Sequence, residues 1–267
     1  MVLQHGFQPF YRALTAIAAL AGCVLSIAMP ASTRAETLVV MGDHTYAPVI
    51  YQDNGQPAGV LVDILRKVSE RTGDVYDVQL FPWNRAYDAA LRGQGAVVGL
   101  SMNSERQALF DFSDPLYNDD IQIVVRRGHE FPFTKLTDLK GKILGGVLGA
   151  SYGEEVDRVI REGLFKMDRD VGQAGRLHKL LAGRMDAALI GNGQAGLEAV
   201  LASDPQLLAQ RSQFVVLRTP LTRDPLHLAA AKGMDKLAVI ARFNKALRDL
   251  QKSGALKKLA SDANPKK

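Results

Sequence analysis

From Glu36 onward, apolar positions fall into short runs of two kinds. Thr37 to Met41 is apolar and β-branched and predicts a strand, whereas Gly59 to Arg71 places Leu61, Ile64, Leu65 and Val68 at helical spacing. Asp77 to Phe81 predicts a strand and Asn84 to Arg92 a helix, followed by short buried strands at Ala96 to Leu100 and Ile121 to Val125. The rhythm restarts at Lys142. Ile143 to Leu148 predicts a strand, Tyr152 to Glu162 and Leu177 to Leu181 helices, Ala187 to Ile190 a strand and Gln194 to Ala202 a helix. Phe214 to Leu217 and Leu226 to Ala230 are later strands. A closing helix carries Leu237, Ile240, Phe243, Leu247 and Leu250 on one face, and a short helix at Ala255 to Ala260 precedes a polar tail.

Strands alternating with helices predict an α/β fold with a mainly parallel sheet, here in two units. In open sheets of this type a ligand binds beyond the carboxyl ends of the strands, so the loops after strands are the informative segments. Composition is that of a globular protein: 47% apolar, 23% charged, one Cys in 267 residues and a net charge of +5. It excludes disordered, collagen-like and disulfide-stapled chains. No clustered basic face or nucleic-acid motif is found, so no nucleic-acid partner is expected.

Residues 1–35 read as an export signal. Arg12 precedes an apolar run from Ala13 to Met29, and small residues at Thr33 and Ala35 fit a cleavage site before Glu36. The run is short for a membrane span and no second one follows. Arg12 and Arg34 are the only charged residues of this segment, so the remaining 232 residues carry +3. Leu20-Ala21-Gly22-Cys23 also resembles a lipobox, the alternative being a lipoprotein anchored at Cys23. In the soluble case the mature chain has no Cys, hence no disulfide and no thiolate chemistry.

Gly99-Leu100-Ser101-Met102-Asn103-Ser104-Glu105-Arg106 follows a buried strand and leads to Phe110-Asp111-Phe112-Ser113-Asp114-Pro115-Leu116-Tyr117. Further along the chain stand Thr45-Tyr46-Ala47-Pro48, Asn54-Gly55 with Gly59 and Asp63, Trp83, Leu139-Lys140-Gly141-Lys142, Gly149-Ala150-Ser151 and Gly183-Arg184-Met185-Asp186-Ala187-Ala188. In this order and spacing the motifs resemble the bacterial family 3 solute-binding proteins, the extracytoplasmic receptors of polar amino-acid ABC importers. The resemblance covers nearly all of Glu36 to Lys258.

The resemblance implies a two-lobed periplasmic-binding-protein fold of type II, each lobe a mainly parallel sheet flanked by helices, with two crossover strands as hinge. Lobe one is expected at 36–123 plus 220–267 and lobe two at 124–219. A monomeric periplasmic receptor is implied, closing on a small carboxylate or amino-acid ligand and passing it to a permease in the inner membrane. Arg106 would hold the ligand's carboxylate in two parallel charge-assisted bonds; read without the family it is a surface Arg pairing with Glu105 or Asp111. Ser101 would donate to the same oxygens. Ser151, after a strand at a helix start, would bind an anion there or serve as a plain N-cap. Tyr46 and Trp83 would be aromatic walls or simply core.

The departures bear on the ligand. Where amino-acid binders carry a carboxylate for the ligand's ammonium, this chain has Gly191, with Asn192 next. Gly99 and Val98 stand where relatives offer hydroxyls. A buried ammonium without counter-charge is costly, so Asp43 or another acid substitutes, or the ligand has no α-ammonium. Arg85 is a second cation near Trp83 or a solvated helix residue.

Three rival readings remain at this level. Gly149-Ala150-Ser151-Tyr152-Gly153 spells G-x-S-x-G between a strand and a helix, with Asp186 and His227 following in the order of an α/β-hydrolase. A cyclohexadienyl dehydratase shares the resembled fold, but it needs a general acid that the sequence does not assign. A ligand sensor without transport role is the third. No metal or cofactor is expected, since His44, His129, His178 and His227 form no closely spaced pair and no P-loop or complete dinucleotide fingerprint occurs.

Overall fold

A computed structural model describes residues 35–263; the export signal and Cys23 lie outside the described residues. The first unit opens with β1 (Thr37–Asp43) and three short strands, β2 (Thr45–Tyr46), β3 (Ile50–Asp53) and β4 (Gln56–Ala58), which form a small antiparallel sheet. Then come α1 (Val60–Thr72), β5 (Val75–Phe81), α2 (Trp83–Leu91), β6 (Ala96–Ser101), α3 (Ser104–Leu109) and β7 (Phe110–Phe112). β8 (Tyr117–Arg126) leads into the second unit, made of β9 (Ile143–Val147), α4 (Glu154–Arg161), β10 (Lys166–Asp170), α5 (Gln173–Leu181), β11 (Ala187–Ile190), α6 (Gly193–Ala202), α7 (Pro205–Ala209) and β12 (Phe214–Val216). β13 (Thr222–Ala231) returns to the first unit, and α8 (Leu237–Lys252) and α9 (Ala255–Ala263) finish the chain.

The large sheet runs β10-β9-β11-β8-β13-β6-β1-β5. Its two ends, β5-β1-β6 and β10-β9-β11, are parallel, as the alternation of strands and helices implies. The middle is antiparallel because the chain crosses there. β8 pairs with β13 through Tyr117–Ile121 and with β11 and β12 through Gln122–Arg126, so a single strand belongs to both ends. Leu217 and Leu221 donate backbone bonds to Ile123 and Ile121 at 2.9 and 2.8 Å, and the returning segment therefore lies beside the outgoing one.

Packing follows the periodicity. α1 buries Val60, Leu61, Ile64, Leu65 and Val68 along one stripe and stops at Gly73, whose φ of 76° is the left-handed conformation that glycine adopts without strain. α1 and α8 lie over Leu38, Val40, Val98 and Leu228. In the second unit Ile123 and Leu189 belong to one core cluster, while their neighbours Val124 and Ile190 belong to another. Alternate residues of a strand face opposite sides of the sheet, so the helices cover both faces.

Four expectations need correction. Leu237 is 59% exposed, because as first residue of α8 it lies before the buried stripe that begins at Val239. α4 starts at Glu154, after Gly153 turns with φ of 89°; α5 starts at Gln173, four residues before the expected Leu177. β10 has no apolar run at all. It is held at the end of the sheet by its backbone ladder to β9, and an edge strand needs little side-chain burial.

Gly196 packs α6 against the loop after β11, where an added Cβ would collide with the Gly191 carbonyl oxygen. Gly196→Ala is expected to destabilise the fold by about 1–3 kcal/mol, read as a lower urea midpoint; an unchanged midpoint would contradict this close approach.

Candidate functional site

The strands end around a partly open cavity of about 70 Å³. Six of the expected site residues line it: Asp43, Tyr46, Trp83, Gly99, Ser101 and Ser151. Asp43 and Ser101 are the last residues of β1 and β6, and Gly191 follows β11, so the cavity sits at the carboxyl ends of strands from both units. Residues that the sequence reading did not assign as ligand contacts also line it, among them Gln173 and Arg176 from α5, Gly191, and Asp224 from β13, with an apolar remainder that includes Ile121, Leu189 and Leu226.

Arg106 and Asn192 are not in this wall. Arg106 is 4% exposed and lies behind Ser101, stacked 5.1 Å from the Tyr87 ring centroid. Its Nη1 donates to the Ser101 carbonyl at 2.9 Å and its Nη2 to the Gly149 carbonyl at 3.1 Å, one from each unit. The surface pairing with Glu105 or Asp111 is therefore not what holds it. Asn192 has φ of 62° at the start of α6; its N–H donates to an Asp119 carboxylate oxygen and its Oδ1 accepts from the Tyr117 hydroxyl.

Ser151 is not an N-cap, since Gly153 takes that position. Its Oγ donates to the Asp157 carboxylate and accepts from Asn103 Nδ2 and the Gly153 N–H, both at 3.2 Å. Asn103 and Ser104 also reach across to α4, with Ser104 N and Oγ donating to Glu154 at 2.9 and 2.7 Å. Gln173 Nε2 donates to the Thr45 carbonyl at 3.2 Å. The two units thus meet through direct hydrogen bonds around the cavity.

The wall is acidic. Asp224, 5% exposed, accepts from Ser101 Oγ at 2.5 Å, and burial pushes its pKa up to about 6. Asp119 is the residue directly opposite Asp224 on β8 and is fully buried. Its carboxylate accepts from the Tyr46 hydroxyl and the Asn192 N–H, and burial, with the neighbouring Asp224 and Asp120 adding to it, pushes its pKa up to about 7. Asp43 is raised by burial as well, against two bonds from Thr45 at 2.8 and 3.0 Å. Arg176 offsets Asp43 only in part, the charge acting at a distance while its hydrogen bonds go to Asp170 at 2.7 Å and to the Leu189 carbonyl at 2.6 Å. One donor in the wall is free, since Trp83 Nε1 is buried without a hydrogen-bond partner among the described residues.

Asp119 and Asp224 escaped the sequence reading because both lie in polar runs just before the apolar part of a strand. Extending the period of two back from Ile121 puts Asp119 and Tyr117 on its buried face, and that was the available signal.

The hydrolase reading fails on geometry. Ser151 is bonded to Asp157, His227 Nδ1 lies 2.8 Å from the Ser113 carbonyl oxygen, and Asp186 accepts from the Ile143 N–H at 2.7 Å, so the three do not form a relay. Arg85 is exposed, with its guanidinium 4.9 Å from the Phe81 ring centroid, which is the solvated helix residue.

Fold and cavity together define a two-lobed α/β solute-binding protein of the type II periplasmic class. Residues 38–262 match the bacterial extracellular solute-binding proteins, family 3, and the chain belongs to that family. It is 27% identical over 222 residues to the probable amino-acid-binding protein YxeM of Bacillus subtilis strain 168, covering 80% of this chain and 78% of the relative. To the L-cystine-binding protein TcyJ of Escherichia coli K12 it is 26% identical over 227 residues, covering 84% and 81%. The solved structure of an ancestral arginine-binding protein bound to arginine superimposes with a TM-score of 0.70 at 25% identity, covering 85% of this chain and 98% of that one.

The raised pKa of Asp119 has a consequence for stability. Its native value of about 7 stands above the ordinary 3.8, so the native state holds the proton more tightly than the unfolded chain does. This group's contribution to stability is greatest below about pH 4 and declines as pH rises towards 7. Chemical denaturation of the protein without ligand, at pH 5 and pH 8, is expected to show less decline in Asp119→Asn than in the wild type. Equal declines would refute the assignment.

Proposed function

We propose that this chain is the receptor of an ABC importer, which closes on an amino acid and presents the closed form to a permease in the inner membrane. The observation that carries the reading is the cavity itself, walled by polar groups from both units and containing an unpaired donor, Trp83 Nε1, beside buried acids. Ligand stabilises closure only by binding the closed state better than the open one, and contacts from both units provide that difference. The names of the amino-acid-binding and L-cystine-binding relatives support the ligand class. The cavity's 70 Å³ corresponds to on the order of five water-sized spaces, which favours a small ligand in this closed form.

Lobe one is 36–123 with 220–267 and lobe two 124–219; the core clusters separate close to these bounds, with Ile121, Ile123 and Leu221 packing in the second unit and Tyr117 and Leu226 in the first. Arg106, which stands behind the cavity wall and meets Ser151 from its far side, anchors a ligand carboxylate that reaches past the Ser101–Ser151 edge. Two of its five N–H donors go to the carbonyls that bracket the cleft, and a carboxylate at the Ser101–Ser151 edge engages the others. Tyr46 and Trp83 flank the ligand, Gly99 leaves room for it, and Asn192 braces the wall through Asp119. The protein acts as a monomer in the periplasm, exported by its N-terminal segment, and releases its ligand unchanged.

The test is a thermal-shift screen of the purified protein against amino acids and small organic acids, because a ligand of the folded state raises the melting temperature with concentration. An amino acid is expected to score. Arg106→Ala is expected to weaken that ligand at least about tenfold, in line with loss of a buried charge-assisted pair; unchanged affinity would place the carboxylate elsewhere, with Trp83 Nε1 the next donor to examine.

A further inference from the structure

The two crossing strands bring a pair of carboxylates into register, Asp224 in the cavity wall and Asp119 buried behind it. Asp119 on β8 and Asp224 on β13 are direct partners in the antiparallel ladder, and both are almost wholly buried. Like charges in that relation repel, and a buried charge without a counter-ion is costly. The nearby protein cations offset these acids only in part, Arg106 acting on Asp224 through its charge without a hydrogen bond to it, and their donors are spent elsewhere. Arg106 donates to the carbonyls of Ser101 and Gly149, Arg176 is paired with Asp170, and Arg223 is paired with Asp120 at 2.9 Å. Asp119 spends both oxygens on Tyr46 and Asn192, whereas Asp224 has one oxygen on Ser101 and no protein donor on the other among the described residues.

Two independent observations point to an occupant for that free oxygen. Trp83 is 8% exposed, lines the same cavity and has an unpartnered Nε1 donor, so the cavity offers both an acceptor and a donor with no protein mate. The end of β11 cannot supply the counter-charge, because a Cβ on Gly191 would collide with the Tyr46 hydroxyl and come within 2.5 Å of Asp119 Oδ2. The space beside that backbone is filled by the carboxylate of Asp119, delivered from a different strand.

We propose that the ligand's cationic nitrogen is held by Asp224 on the crossing strands, with Asp119 behind it reinforcing the negative potential, and not by any residue at the end of β11. The inference rests on the reading of the chain as an amino-acid receptor, and it makes Asp224 the determinant that selects ammonium-bearing ligands over plain carboxylates. The groups facing the pair are Ser101 on β6, Tyr46 on β2, Asn192 at α6, Asp120 on β8, Asp157 on α4, Asp43 on β1 and Arg106 on α3. Acids outnumber bases among them, so the pair retains a proton near neutral pH until a cation arrives. The raised pKa values of Asp119 and Asp224, about 7 and about 6, agree. Binding an ammonium therefore expels a proton.

Isothermal calorimetry on the purified protein at pH 6.5 tests this, using the amino acid that binds best among the standard twenty, ornithine and cystine. Measured in two buffers of different ionisation enthalpy, wild-type binding is expected to release a fraction of a proton. Asp224→Asn should weaken the amino acid at least about tenfold and lose the proton release, while Asp119→Asn should reduce the release with a smaller loss of affinity. Wild-type affinity in Asp224→Asn, or no proton exchange in the wild type, overturns the proposal; the second readout needs no variant and stands even if Asp224→Asn does not fold. Wild-type binding confined to carboxylates without an ammonium overturns the amino-acid reading itself, and this inference with it, so the two failures are distinct.

Discussion

The antiparallel pairing of β8 with β13 is the constraint around which the site is organised. Those two strands carry the chain between its units, and their register sets Asp119 against Asp224 in the middle of the sheet, where water does not reach. Carboxylates so placed require donors. They come from every side: the Tyr46 hydroxyl from the small sheet, the Asn192 N–H from the start of α6 and the Ser101 hydroxyl from β6. Because Tyr46 belongs to the first unit and Asn192 to the second, satisfying the buried acid also ties the units to the crossing strands.

Closure is distributed over small contributions. The bonds from Asn103 and Ser104 to α4, from Gln173 to Thr45, and from Arg106 to both Ser101 and Gly149 are each a modest net contribution, because bonds to water are given up to form them. None alone decides the equilibrium between open and closed forms. A ligand that adds a few contacts to both units at once is therefore able to shift it. Arg106 is central in this respect, since one guanidinium touches the backbone of both units and no longer side chain is needed to bridge them.

Shape and charge are linked at residue 191. With no side chain there, β11 ends close against Tyr46 and Asp119, and the acid that fills the gap arrives from β8. The cavity keeps a negative wall, but its position relative to Ser101 and Ser151 is set by the sheet register and not by the loop after β11.

How much was legible in the sequence differs between fold and site. The stripes of α1 and α8, the apolar cores of β1, β6, β9 and β11, and the loops after them were readable because burial of one face imposes a period of 3.6 or 2 on the chain, and local spacing suffices to detect it. Asp43, Tyr46, Trp83, Ser101 and Ser151, which sit on or just past strand ends, were gathered in another way, through the resemblance of the surrounding motifs to those of the family. The half-buried edge strand β10 left no such trace, since its backbone ladder and the polar bonds of Asp168, Arg169 and Asp170 hold it in place of an apolar run. What only the tertiary structure decided was which residues face one another across strands far apart in sequence: that Arg106 stands behind the cavity wall, that Gly191 has its space taken by Asp119, and that Asp119 meets Asp224 over a separation of about a hundred residues. Register between distant strands comes from the packing of the whole sheet, and no local pattern of apolar and polar residues contains it.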